Sequence, residues 1–107
     1  MQDAWVPCKL YIKMQDQKPR RAYVILQDAD SLLEPRAGVV LLIRHPSGVV
    51  FQVLGKVSRR RGRGSVEVYI SIDAALSLAA QIGANVEKNT TIYGYTAMIK
   101  NIKPPPA

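Results

Sequence analysis

Cysteine, histidine and phenylalanine each occur once in this 107-residue chain, and the scarcity excludes whole classes of chemistry. Cys8 alone cannot form an internal disulfide, and Cys8 with His45 falls short of the ligand set of a zinc site. His45 would also have to be the base of any nucleophilic triad, yet it precedes Pro46 in a turn, where a solvated histidine is expected. Gly55-Lys56-Val57-Ser58 ends like a phosphate loop, but Val50 stands at the upstream glycine position and Val57 at the hydroxyl position. Asp28, Asp30, Glu34 and Asp73 lie at or near helix starts, where capping and the helix dipole account for them. The expectation is a chain without catalytic residues, metal or cofactor. Nothing approaches the roughly 18 apolar residues of a membrane span. Met1-Gln-Asp-Ala-Trp5 lacks the basic-then-apolar pattern of a signal peptide, so a cytoplasmic location is expected.

Acid is missing where base is plentiful. Between Pro35 and Val66 there is no aspartate or glutamate, and the span holds Arg36, Arg44, Lys56, Arg59, Arg60, Arg61 and Arg63. Those seven residues equal the whole formal charge of +7. A positive field concentrated in mid-chain points to a polyanionic partner.

Hydrophobic residues make up 48% of the chain, ample for one core and one domain over residues 1–103. Alternation predicts strand 1 over Trp5 to Met14, with Val6, Cys8, Leu10, Ile12 and Met14 on one face and Trp5, Lys9, Tyr11 and Lys13 on the other. Cys8 is expected to be a buried structural thiol. After a turn at Asp16–Pro19, strand 2 runs from Arg21 to Gln27, and Asp28 is expected to cap a short helix that Pro35 ends. Gly38 to Ile43 reads as a buried strand. Val49–Val57 and Val66–Ile72 alternate on either side of Arg59-Arg-Arg-Gly-Arg-Gly64, which reads as a six-residue loop carrying four arginines at the tip of a long β-hairpin. Asp73 and Gly83 bracket a second helix, apolar nearly all round and so expected to be buried nearly all round. Thr91 to Lys103 is the last strand. Residues 104–107 are a proline-rich, disordered tail.

The two halves, residues 5–44 and 49–103, follow one pattern: strand, strand, capped helix, strand. Tyr23-Val-Ile-Leu-Gln-Asp-Ala29 aligns with Val68-Tyr-Ile-Ser-Ile-Asp-Ala74. A ββαβ unit used twice resembles the cradle-loop barrels, which include double-psi, RIFT and AbrB-like swapped-hairpin domains. The resemblance is carried mostly by Val66–Ile72, the helix ending in Ile82-Gly83, and the strand from Thr91. It implies a mainly β fold with two helices and a six-stranded barrel. Ser71 stands where AbrB-like domains commonly have proline, the helix is longer, and no Gly-Asp pair precedes the last strand, so the likeness bears on topology rather than on DNA binding. The basic hairpin leading into a helix also resembles PC4-like single-stranded-DNA binders.

The functional expectation is a non-enzymatic protein that contacts the phosphate backbone of DNA or RNA through Arg59, Arg60, Arg61 and Arg63, with little sequence specificity. Guanidinium groups fork onto phosphate oxygens, and lysine or glutamate would serve as well merely to keep a hairpin end soluble. Arg44 and Lys56 extend the footprint, and Lys9, Lys13, Tyr11 and Trp5 form a second tier in which aromatics interleave with cations. A homo-oligomer through the apolar helix or strand edges is expected. Two other classes stay open: an assembly protein whose hairpin arm embraces a neighbouring subunit, and a small-ligand barrel with a pocket at Arg44 and His45.

Overall fold

The computed structural model describes residues 5–27, 33–62 and 64–105. In chain order the elements are β1 (Val6–Gln15), β2 (Lys18–Gln27), β3 (Gly38–Arg44), β4 (Val50–Gly62), β5 (Ser65–Ile70), α1 (Ile72–Gln81) and β6 (Thr90–Lys103). The six strands are hydrogen-bonded neighbour to neighbour into a closed barrel, in the order β1-β2-β5-β4-β3-β6, and every pairing is antiparallel. Closure pairs the strands on both sides, so association through free strand edges has no starting point within the ring.

Alternation decides which way each strand faces. Leu10 and Ile12 on β1, Val24 and Leu26 on β2, Leu41 and Ile43 on β3, Val57 on β4 and Val66 and Val68 on β5 fill the interior, all nearly or fully inaccessible. Each such side chain contributes about 1.5–3 kcal/mol by leaving water. Gly55 takes an inward turn of β4 between Val53 and Val57. A Cβ there would overlap Val68 and come within 2.8 Å of the Tyr69 carbonyl oxygen, so the close approach of β4 to β5 requires glycine.

The ring has an exchange property. If β1, β2 and β3 are swapped for β4, β5 and β6, the set of neighbour pairs is unchanged. Two of the six pairings, β2–β5 and β3–β6, then map onto themselves.

Alpha-helix α1 is the one helix among the described residues; of the short helix expected from Asp28 to Glu34, residues 28–32 lie outside them, and Leu33 and Glu34 are not helical. Its cap differs from the expected one. Ser71 is extended at φ −68°, ψ 152°, and its hydroxyl accepts from the Ala74 amide at 3.1 Å, whereas Asp73 lies inside the first turn. Serine in that extended position reaches the third amide along, and Asp73 instead sets its charge against the positive end of the helix. Gly83 ends the helix as expected: at φ +70° it donates to Ala80, while Ala84 donates to Ala79, the paired 5→2 and 6→1 bonds of a Schellman ending. Only the Ala75, Leu78 and Ala79 face is buried. Leu76 and Ile82 remain more than a third exposed, so the helix is not buried all round by its own chain. The Tyr95 hydroxyl fastens α1 to β6 by donating to the Leu78 carbonyl at 2.7 Å.

Candidate nucleic-acid interface

The arginine segment is strand rather than loop. Beta-strand β4 continues to Gly62, which pairs with Ser65, and Arg61 pairs with Val66, so the hairpin connection is residues 63 and 64 with Gly64 at φ +68°. Arg59, Arg60 and Arg61 therefore belong to β4, and Arg63 lies outside the described residues. No proline or acidic residue interrupts the chain here, and β5 offers a ladder as far as Ser65. Between the pairs Val57–Val68 and Arg61–Val66, β4 has Ser58, Arg59 and Arg60 where β5 has Glu67 alone. This bulge bends and twists the basic arm.

Register builds a second feature on the outer face. Lys56 pairs with Tyr69, Tyr69 with Tyr23, and Tyr23 with Tyr11, a single row across β4, β5, β2 and β1. The Tyr11 and Tyr23 rings stack with centroids 5.9 Å apart, and Tyr23 and Tyr69 tilt against each other at 4.7 Å. Lys13 pairs with Arg21 one row away. Hydrogen bonding to Tyr23, with Tyr69 contributing, raises the Arg21 pKa. The tyrosines spend their faces on one another, so this row is a rigid ridge edged by Lys13, Arg21 and Lys56.

The third feature lies where β6 crosses β1. Cys8 pairs with Tyr95 and Leu10 with Ile92, so Lys9 faces both Tyr93 and Gly94, and Gly94 has φ +97°. The extra residue resets the alternation: Ile92 and Tyr95 both point inward, while Tyr93 is thrown out with 71% of its surface exposed. The Lys9 ammonium lies 5.7 Å from the Tyr93 ring centroid. Nearby, the Arg44 guanidinium sits 4.3 Å over the Trp5 ring, and the His45 ring meets Tyr95 edge-on at 5.6 Å. His45 Nδ1 accepts from the Ser47 amide at 3.1 Å, which puts the proton of the neutral ring on Nε2. Two open depressions, of about 460 and 380 Å³, adjoin at Gly94 and Thr96; Arg44, His45, Pro46 and Gly48 line the first, and Lys9, Gln27 and Tyr93 the second.

No family model, curated protein or solved structure matches the chain.

The ten residues singled out from the sequence thus separate. Tyr11 and Lys56 stand at opposite ends of the tyrosine row with Lys13 beside it, Trp5 and Arg44 stack beside the depressions, and Lys9 faces Tyr93 across the bulge. Arg59, Arg60 and Arg61 ride on the hairpin. Tyr23, Tyr69 and Arg21 were not selected from the sequence, because the row exists only through cross-strand register. Tyr93 was hidden by the bulge: strict alternation puts it on the same face as Tyr95. Cys8 is no candidate nucleophile, since burial pushes its thiol up to about 12. Among the described residues there is no cluster of three or more metal-ligating side chains, and no helix is long and apolar enough to cross a membrane.

Proposed function

We propose that this chain binds nucleic acid through the phosphate backbone and catalyses no reaction. The observation that supports the reading is placement: the acid-free basic stretch runs from Arg36 through the whole of β3 and β4 to the β4–β5 connection, one continuous antiparallel ribbon. A strand backbone that is already ordered, with Arg61 paired to Val66 beyond the bulge, carries Arg59, Arg60 and Arg61 at a lower backbone entropy cost than a loose tip would. Specificity for base sequence is not part of the proposal, since α1 presents an exposed surface of Leu76, Ser77, Ala80 and Gln81 with no cation to read a groove. We read the topology as cradle-loop type and the location as cytoplasmic.

Fluorescence anisotropy with labelled duplex and single-stranded oligonucleotides across a salt series tests it. Five to seven phosphate contacts predict a log-log salt slope of roughly −4 to −6. Changing Arg59, Arg60, Arg61 and Arg63 together to serine removes most of that slope. Equal binding by both chains rejects the arm as the contact.

One observation favours self-assembly as a second reading. Val50 and Leu54 on β4 and Ile102 on β6 are 46–69% exposed, on a side of the ring where Val40 pairs with Leu54 and Leu42 with Met98. A homo-oligomer through this face predicts that Leu54→Glu lowers the mass measured by light scattering. The small-ligand reading has the Arg44–His45 depression in its favour, but its openness suits a longer ligand that passes through.

A further inference from the structure

We propose that the groove at the Tyr93–Gly94 bulge is a stacking site for an unpaired base of single-stranded nucleic acid, with Lys9 and Arg44 holding the phosphates on either side. The inference deepens the nucleic-acid reading and rests on it. Three observations converge. A β-bulge, which re-aims a side chain at the cost of a ladder bond, projects an aromatic ring into solvent where the flanking inward positions are filled by Ile92 and Tyr95. The bulge lets both Ile92 and Tyr95 face the core, and it leaves the Tyr93 ring on the exterior, where the core gains nothing from an aromatic side chain. Tyr93 is also the most exposed aromatic among the described residues: Tyr11, Tyr23 and Tyr69 contact one another, Arg44 covers Trp5, Phe51 packs against the core, and Tyr95 is buried.

The surroundings suit a charged, flat, extended ligand. Lys9 stands beside the Tyr93 ring and Arg44 lines the adjoining depression. The two depressions share Gly94 and Thr96, so a strand lying along them passes one cation, the stacked base and the next cation in turn. Gly94, with only Pro46 within 4 Å of where a Cβ would sit, leaves the floor between them low. A duplex cannot use this groove, because its base faces are already stacked. The hairpin arginines, which need only phosphates, serve duplex and single strand alike.

The test compares labelled oligothymidylate with a labelled duplex, using the native chain, Tyr93→Ala, Tyr93→Phe and Lys9→Ala. Tyr93 is exposed, so its removal leaves the core intact. The expected result is that Tyr93→Ala weakens single-strand binding about 5- to 100-fold, that Tyr93→Phe binds as the native chain does, and that neither change alters duplex binding. Lys9→Ala should reduce the single-strand salt slope by about 0.7, one phosphate contact. If Tyr93→Ala binds oligothymidylate as tightly as the native chain, or weakens duplex binding equally, the stacking site is rejected and the hairpin reading stands. If the native chain binds neither oligonucleotide, both fall together.

Discussion

A methyl group at Gly55 would have to displace Val68 or the β5 backbone. Overpacking of this kind costs about 1–3 kcal/mol, so Gly55→Ala should lower the urea midpoint without changing the slope of the transition. Gln17 offers the opposite case. Asp16 and Gln17 form the two-residue connection between β1 and β2, both with positive φ, at 53° and 63°, the conformation of a type I′ turn that glycine adopts freely. Gln17→Gly should therefore stabilise the protein by about 0.5–1 kcal/mol, read from the same denaturation curve. Cys8 ties stability to alkaline pH. Its thiol titrates near 9.0 in an ordinary setting and about 12 in the fold, so below pH 9 both folded and unfolded chains keep the proton and stability is unaffected. Between pH 9 and 12 only the unfolded chain loses it, and stability falls by up to about 1.4 kcal/mol per pH unit. Tyr95, raised by burial and by Cys8, adds to the decline above its own ordinary range. Cys8→Ala should flatten the alkaline limb, and the native thiol should resist alkylation until the chain unfolds.

Elements, taken one at a time, show where the chain's pattern is sufficient and where it is not. The inward series Leu10–Ile12 and Val66–Val68–Ile70 is written directly as period-two alternation, whereas Val39–Leu41–Ile43 lies in a continuous apolar run that marks a buried strand without showing which residues face inward. Alternation fails at a bulge, because one extra residue reverses the facing of everything after it; for that reason the last strand could be placed from the sequence while the outward Tyr93 and the inward Tyr95 could not be told apart. Cap chemistry was ambiguous in a similar way. Ser71 and Asp73 are both good N-cap residues, and only backbone geometry separates them. Ser71→Ala should cost about 1 kcal/mol, while Asp73→Ala should cost about 0.3–1 kcal/mol, a charge–dipole effect that added salt weakens; measuring both in low and high salt distinguishes cap from dipole. The arginine hairpin was recognised as an arm but placed in a loop, since glycines at 62 and 64 suggest a wide turn and nothing local reveals that β5 can extend the ladder past the ring.

At the scale of the whole molecule, the candidate interface was only partly legible. Charge is additive along a sequence, so the basic middle of the chain was visible without any fold. The row Lys56–Tyr69–Tyr23–Tyr11 and the groove beside Tyr93 depend on which strand lies next to which, and pairing between strands distant in sequence leaves no local trace. Two cationic regions, the hairpin arm and the Lys9–Arg44 groove, together predict that single-strand binding is steeper in salt than duplex binding.

The exchange of halves that leaves the ring unchanged has a consequence for how the protein comes apart. Within residues 5–44 only β1 and β2 pair with each other, and β3 bonds solely to β4 and β6. The second half mirrors this, with β6 bonded only to β1 and β3. Neither half is a subdomain; they are two interlocked pieces, each supplying the missing neighbours of the other. Cleavage in the exposed Pro46–Val49 turn should therefore yield two fragments that are separately unstructured by circular dichroism, yet reassemble on mixing into a noncovalent heterodimer with the native spectrum.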